Sequence, residues 1–250
     1  MFPLYLNKNK IIIFWSYKCG CTFIKTLFYN TILNKKYSIN YIKLISFMST
    51  FYFLNLNKIQ MYKKILICRN PYSRIVSCFI DKYINGRFTK YMNYNIFLNK
   101  INNIFFRNKK NINFTFENFI NILYEITQHN FSYYILEKKH IMLQFDKNIK
   151  IDKIYKLENF DEKKFLNNEF NIKIYNKINN DFGNNTNCSI CKNTINNVYE
   201  MNYEQLLKLK NDNKIPNFRC FYNNEIKIKI DIIYKNDLIF LKKYGIDYVI

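Results

Sequence analysis

Two short stretches of the chain carry residue types that hold phosphate. The first is Tyr17-Lys18-Cys19-Gly20-Cys21-Thr22-Phe23-Ile24-Lys25. It follows the continuous apolar run Ile11-Ile12-Ile13-Phe14 and leads into apolar residues at 23, 24, 27 and 28, a helical spacing. A loop between a strand and a helix start offers an anion unpaired backbone N–H groups and the positive end of the helix dipole. Gly20 lets the backbone come close, the Thr22 hydroxyl is a further donor that can also cap the helix, and Lys18 brings a mobile positive charge. The loop is not of the Gly-x-x-x-x-Gly-Lys-[Ser/Thr] type. An ordinary strand-to-helix turn with surface lysines is the competing reading.

The second stretch is Arg69-Asn70-Pro71-Tyr72-Ser73-Arg74, with Ser77 further on. Arg69 closes the strand-like Lys64-Ile-Leu-Ile-Cys68, and Pro71 suits the first turn of a helix running through about Tyr83. Ser77 then falls about two turns into that helix. A guanidinium and a hydroxyl converging at a strand end would hold a second phosphate. A salt-bridged helix start is the alternative for Arg69 and Arg74.

Composition sharpens both observations. The 250 residues include no alanine, only 4 Gly and 3 Pro, and an abundance of Lys, Asn, Ile, Tyr and Phe, the signature of AT-rich codons. Arginine occurs only at 69, 74, 87, 107 and 219, so two of five lie in one hexapeptide. Residues that the base composition disfavours are kept for a physical reason. The same bias weakens the net charge of +21 as a sign of polyanion binding, since an excess of lysine arises by default.

The elements around the two stretches are strand, loop and helix, twice over: a strand over Lys10 to Trp15, a helix over Phe23 to Leu33, a strand over Lys64 to Cys68, a helix from Pro71. Such alternation predicts an α/β domain with parallel strands and crossovers. Further helices are expected over Phe116 to Glu125, Tyr133 to Lys139, Asp161 to Phe170 and, as one long helix, Asn223 to Tyr244; a further strand is expected over Ile149 to Leu157. Residues 85–115 read as an insert and 176–198 as loop. No linker or repeat is visible, so residues 1–250 are read as a single domain; 49% hydrophobic and 19% aromatic residues exclude a disordered chain.

The first stretch resembles the 5′-phosphosulfate loop of Golgi-type carbohydrate sulfotransferases, Pro-Lys-x-Gly-Cys-Thr-x-x-Lys, with Lys18, Gly20, Cys21, Thr22 and Lys25 in register and Tyr17 in place of the proline. The second is similar to that family's 3′-phosphate motif through Arg69, Asn70, Pro71, Arg74, Ser77, Asp81, Lys82 and Tyr83. His140-x-x-x-Gln144 resembles the family's His-x-x-Pro-Gln, without its proline; Lys153 to Glu158 and Tyr234 with Asp237, Phe240 and Tyr244 resemble later segments. The resemblance implies a P-loop-like sulfotransferase fold, a central mainly parallel sheet flanked by helices. It also implies 3′-phosphoadenosine 5′-phosphosulfate (PAPS) as co-substrate and a carbohydrate hydroxyl as acceptor. Lys18, Gly20, Cys21, Thr22, Phe23, Arg69 and Ser77 would then bind the donor, Lys18 would also serve the leaving group, and His140 would be the base. An imidazole suits that work near neutral pH. Glu158 is a weaker base, or a buried carboxylate paired at a strand end; His129 reads as structural.

Other classes are weighed against this. A P-loop kinase or NTPase lacks its signature loop and an evident acidic magnesium site here. A nucleic-acid-binding protein would draw on the charge and the aromatics. A donor-binding relative without turnover is left open by Tyr17 and the missing proline. No metal site is expected: Cys188, Cys191 and Cys220 lack an evident fourth ligand, and seven cysteines in no regular spacing read as free or buried thiols. Residues 1–15 do not read as a secretory signal, and Ile42 to Leu56 is too short and too polar for a membrane span. By that criterion the chain is cytoplasmic, whereas the resemblance implies a Golgi-type lumen. The acceptor's identity and the oligomeric state have no legible code.

Overall fold

A computed structural model describes residues 2–6, 9–27, 60–85, 114–129, 144, 149–172 and 195–250. In chain order its main elements are β1 (Phe2–Leu6), β2 (Ile11–Trp15), α1 (Cys21–Leu27), β3 (Lys63–Cys68), α2 (Pro71–Phe79), α3 (Phe116–His129), β4 (Lys153–Lys156), α4 (Glu162–Phe170), α5 (Tyr203–Asn211), α6 (Asn224–Ile233) and α7 (Lys235–Lys243). They fall into two compact units: Met1–Asn70 with Leu143–Asn184, and Pro71–Met142 with Asn185–Ile250. The helix expected over Tyr133 to Lys139, and most of the 85–115 and 176–198 segments, lie outside the described residues.

The first unit is a four-stranded sheet in the order β1-β2-β3-β4. β2, β3 and β4 run parallel, as the strand–helix alternation predicts, and β1 joins antiparallel at the edge of β2. β1 is an addition to the expected set. Its Pro3 is a residue that a strand tolerates at an edge, where no ladder donor is needed. β2 is buried along its whole length, which is why its residues form a continuous β-branched run rather than an alternating one. One face of the sheet, through Ile11, Ile13, Trp15, Ile65 and Ile67, packs against Ile24 and Leu27 of α1 and Phe165, Leu166 and Phe170 of α4. The unit is thus α/β, a small parallel sheet with helices against it. The strand expected over Ile149 to Leu157 is confined to Lys153–Lys156.

A buried carboxylate ties this unit together. Glu169 of α4 accepts hydrogen bonds from Lys63 Nζ at 2.6 Å, Lys153 Nζ at 2.8 Å and the Tyr155 hydroxyl. Burial alone would raise the Glu169 carboxyl, but the donors from Lys153, Lys63 and Tyr155 outweigh it and hold it below the ordinary 4.5. A depressed carboxyl stabilises the fold fully above its unfolded value, and that contribution disappears as pH falls through the lower folded value. Glu169→Gln is expected to cost about 1–3 kcal/mol at neutral pH, less than a fully buried pair because the two lysines, 44% and 41% exposed, are rehydrated. Thermal unfolding across the acid range checks it: the wild-type advantage narrows as pH drops below about 4.5, and a gap independent of pH overturns the assignment.

The second unit is helical. α2 begins at Pro71, as expected, and continues as a π-helical turn over Ile80–Ile84. Its core is aromatic, with Phe79 edge-on to Phe116 at 5.3 Å and Tyr83 against Phe119 at 4.9 Å. α3 and α6 pack together, and Lys229 Nζ reaches Asn121 Oδ1 across them at 2.6 Å. α5 was not expected, although its capping box, Asn202 with Gln205, is a start signal in the sequence. The single long helix expected over Asn223 to Tyr244 is two helices. α6 ends at Ile233, Tyr234 leaves helical geometry at φ −104°, ψ 19°, and a new ladder starts from its carbonyl to Leu238 N–H at 3.0 Å. Both Tyr234 and Asp237, which flank the break, are tied to the buried Arg74.

Candidate functional site

Parallel strands lying side by side bring their carboxyl ends to one edge of the sheet, where α/β proteins place their ligands. Here Trp15 pairs with Ile67, and Cys68 with Lys156. The loop after β2, the Arg69–Asn70 turn after β3 and the Leu157–Asn159 turn after β4 therefore meet at that edge of the first unit.

The first loop is tightly wound. Cys19 N–H closes onto the Ser16 carbonyl at 3.2 Å, and the Cys21 thiol donates to the same carbonyl at 3.2 Å. Lys18 and Gly20 both have positive φ, 65° and 73°. For lysine that conformation costs about 1 kcal/mol and persists only where the surroundings impose it. Gly20 is required twice over: by its φ, and because a Cβ there would lie 2.8 Å from Leu157 Cδ1. Ile24 N–H bonds the Gly20 carbonyl at 2.9 Å, the first helical bond, so Gly20 takes the cap position. This corrects the reading of Thr22 as the cap: α1 starts at Cys21 and Thr22 lies inside its first turn. Cys21, Thr22 and Phe23 supply the leading N–H groups that an α-helix cannot satisfy within itself.

The side chains of Cys21 and Phe23 have other duties. Burial, with Cys19 nearby, pushes the Cys21 thiol up to about 11, so it stays protonated near neutral pH and closes the loop rather than acting as a nucleophile. Phe23 packs edge-on to Phe160 at 5.6 Å. Their share in any ligand site is therefore the main chain. Lys25, one turn on, is held below the usual lysine range by burial, with Cys21 working the other way.

The second loop is bound to the first. Arg69 Nη1 donates to the Lys18 carbonyl at 3.0 Å. Gln144, 1% exposed, grips the Arg69 main chain from both sides, its Oε1 accepting from Arg69 N–H at 2.8 Å and its Nε2 donating to the Arg69 carbonyl at 2.8 Å. The same Oε1 accepts from the Cys19 thiol at 3.1 Å, and Cys19 Sγ also meets Ser16 Oγ at 3.2 Å. Glu158 Oε1 accepts from Asn70 N–H at 2.7 Å, just before α2. The expected pairing of Glu158 at a strand end is present, but the residue is exposed rather than buried.

Of the sequence-derived site residues, Lys18, Gly20, Cys21, Thr22, Phe23 and Arg69 share this one edge of the first unit. Ser77 lies in α2 of the second unit, 2% exposed. His140 lies outside the described residues, as do Cys188 and Cys191, while Cys220 is a free thiol. His129 ends α3, exposed, with Nε2 at 3.4 Å from Glu125 one turn back, a surface pair. Arg74 is a structural residue: its guanidinium stands 3.7 Å from Asp237, both side chains wholly buried. Gln144 entered the sequence reading only as part of a resemblance, and its role as the clamp between the loops has no local signal. Comparison with family models, curated proteins and solved structures returns no significant match to this chain.

Proposed function

We propose that the chain is a PAPS-dependent sulfotransferase, of the P-loop-like sulfotransferase fold, acting on a hydroxyl of a carbohydrate acceptor. The observation that carries this reading is the hydrogen bond from Arg69 Nη1 to the Lys18 carbonyl, which joins the two phosphate-type loops at one sheet edge. A nucleotide with a phosphate at each end of its ribose needs two such loops within one ligand's reach. Both motifs and their order along the chain resemble those of carbohydrate sulfotransferases.

In this reading the N–H groups from Gly20 to Phe23 and the Thr22 hydroxyl hold the 5′-phosphate, and Arg69 holds the 3′-phosphate with a fork that lysine does not reproduce. The sequence motif alone assigns Ser77 to donor binding. The acceptor hydroxyl attacks sulfur while the bond from sulfur to the bridging phosphate oxygen breaks. The hydroxyl proton passes to His140 as base, and the charge growing on the leaving phosphate is met by Lys18. The lumenal compartment implied by the resemblance belongs to the same proposal. Among the described residues no helix is long and apolar enough to cross a membrane.

The test is a thermal shift with 3′-phosphoadenosine 5′-phosphate against ATP. At 100 times its dissociation constant the bisphosphate adds about 2.7 kcal/mol, several degrees for a chain of this size. Stabilisation by the bisphosphate and not by ATP supports the donor class. Equal response to both, or to neither, sinks it.

A further inference from the structure

Arginine's reach into a ligand site is set by where its main chain is held, and at Arg69 a remote side chain grips both its N–H and its carbonyl. Gln144 pairs with both the N–H and the carbonyl of Arg69, each at 2.8 Å, across 75 positions of sequence. It behaves as one more rung added to the end of β3, just past the last laddered residue, Cys68. Its carbonyl oxygen also takes the Cys19 thiol at 3.1 Å, so one amide addresses the main chain of the second loop and a side chain of the first. Arg69 in turn donates to the carbonyl of Lys18, the neighbour of Cys19. The result is a closed circuit: Gln144 to Arg69, Arg69 to Lys18, Lys18 along the chain to Cys19, and Cys19 back to Gln144. With 1% exposure, the amide works where water does not compete for its hydrogen bonds.

We infer that Gln144 is the positioning residue that sets the separation of the two phosphate loops, and thereby lets the protein recognise a nucleotide carrying a 3′-phosphate. This rests on the proposed donor class and deepens it. Gln144 itself acts through Arg69 and Cys19 and need not touch the nucleotide. The amide chemistry is specific. A glutamine offers an acceptor and a donor side by side, matching the N–H and C=O of one residue. A carboxylate at the same place accepts from the Arg69 N–H but repels its carbonyl oxygen, whereas a protonated carboxyl restores the acceptor–donor pair.

Calorimetry with 3′-phosphoadenosine 5′-phosphate and with adenosine 5′-monophosphate, on wild type, Arg69→Lys, Gln144→Ala and Gln144→Glu, tests this. Wild type is expected to prefer the bisphosphate, and Arg69→Lys and Gln144→Ala each to reduce that preference at least tenfold. The combined Arg69→Lys and Gln144→Ala variant, measured alongside, is expected to lose little more than either single change, because both act on one guanidinium. Gln144→Glu regains preference, relative to wild type at the same pH, as pH is lowered and its carboxyl takes a proton; a residue that merely stabilised the fold would not move that ratio. Absence of bisphosphate binding by wild type overturns the donor reading itself. Binding by wild type with an unchanged preference in Gln144→Ala overturns this inference alone. Should Gln144→Ala fail to fold, the pH profile of Gln144→Glu decides, a flat profile refuting the inference.

Discussion

On the proposed function, Lys18→Ala is expected to lower the rate of sulfuryl transfer by about 10²–10³-fold, the loss seen when one preorganised group facing developing charge is removed. The effect should fall on kcat more than on donor affinity. In that proposal the bridging oxygen of bound PAPS carries little charge and gains it only as the sulfur–oxygen bond breaks, so the lysine would contribute chiefly in the transition state. The substitution spares the loop. The contact from Arg69 is to the Lys18 main-chain carbonyl at 3.0 Å, which alanine retains. Lysine already sits at φ 65°, where alanine meets a similar steric cost. Thermal stability should therefore stay close to wild type, and steady-state kinetics with a sugar acceptor supply the measurement. Full turnover by Lys18→Ala removes the lysine from the chemistry.

The largest loss of stability is expected from Arg74→Ala, about 3–5 kcal/mol. Arg74 and Asp237 are both fully buried, 3.7 Å apart, and the guanidinium also lies 5.0 Å from the centroid of the Tyr234 ring. Removing the arginine leaves a carboxylate in an apolar interior without its countercharge and removes a large side chain from a packed core. It also frees the two residues that flank the break between α6 and α7. Chemical denaturation measures the cost. Asp237→Asn in the Arg74→Ala background should recover part of it, since a neutral amide is cheaper to bury than an unpaired charge. A loss under about 1 kcal/mol would show that the pair holds nothing together. The contrast with Arg69 is informative. Two arginines five positions apart in one motif divide the work, Arg69 at the sheet edge and Arg74 in the core of the helical unit.

Much of the local structure was legible from neighbouring residues. The β-branched run at 11–14 and Ile65-Leu66-Ile67 mark strands buried on both faces, and they form β2 and β3. Pro71 marks a helix start because its missing N–H costs nothing in a first turn. Gly20, a residue type rare in this composition, stands at a loop position where an added Cβ would meet Leu157. That two loops follow parallel strands was legible too, since their order after strands depends only on chain sequence, and parallel pairing then brings the strand ends side by side.

What tertiary structure decided are the partners that lie far off in the chain. Periodicity shows which face of a helix is apolar, and so it ran α6 and α7 together; Tyr234, at the break, meets Arg74, some 160 positions earlier. Gln144 carries no local sign of its task, because an amide among unrelated residues looks the same whether it faces solvent or pairs with Arg69. Thr22 read as the cap by sequence, and the bond from Ile24 N–H to the Gly20 carbonyl moved the cap to Gly20. Propensity and spacing act over a few residues, whereas a buried polar group takes whatever partner the fold brings within hydrogen-bond reach. The identity of that partner is a property of three-dimensional packing and not of the segment that carries the group.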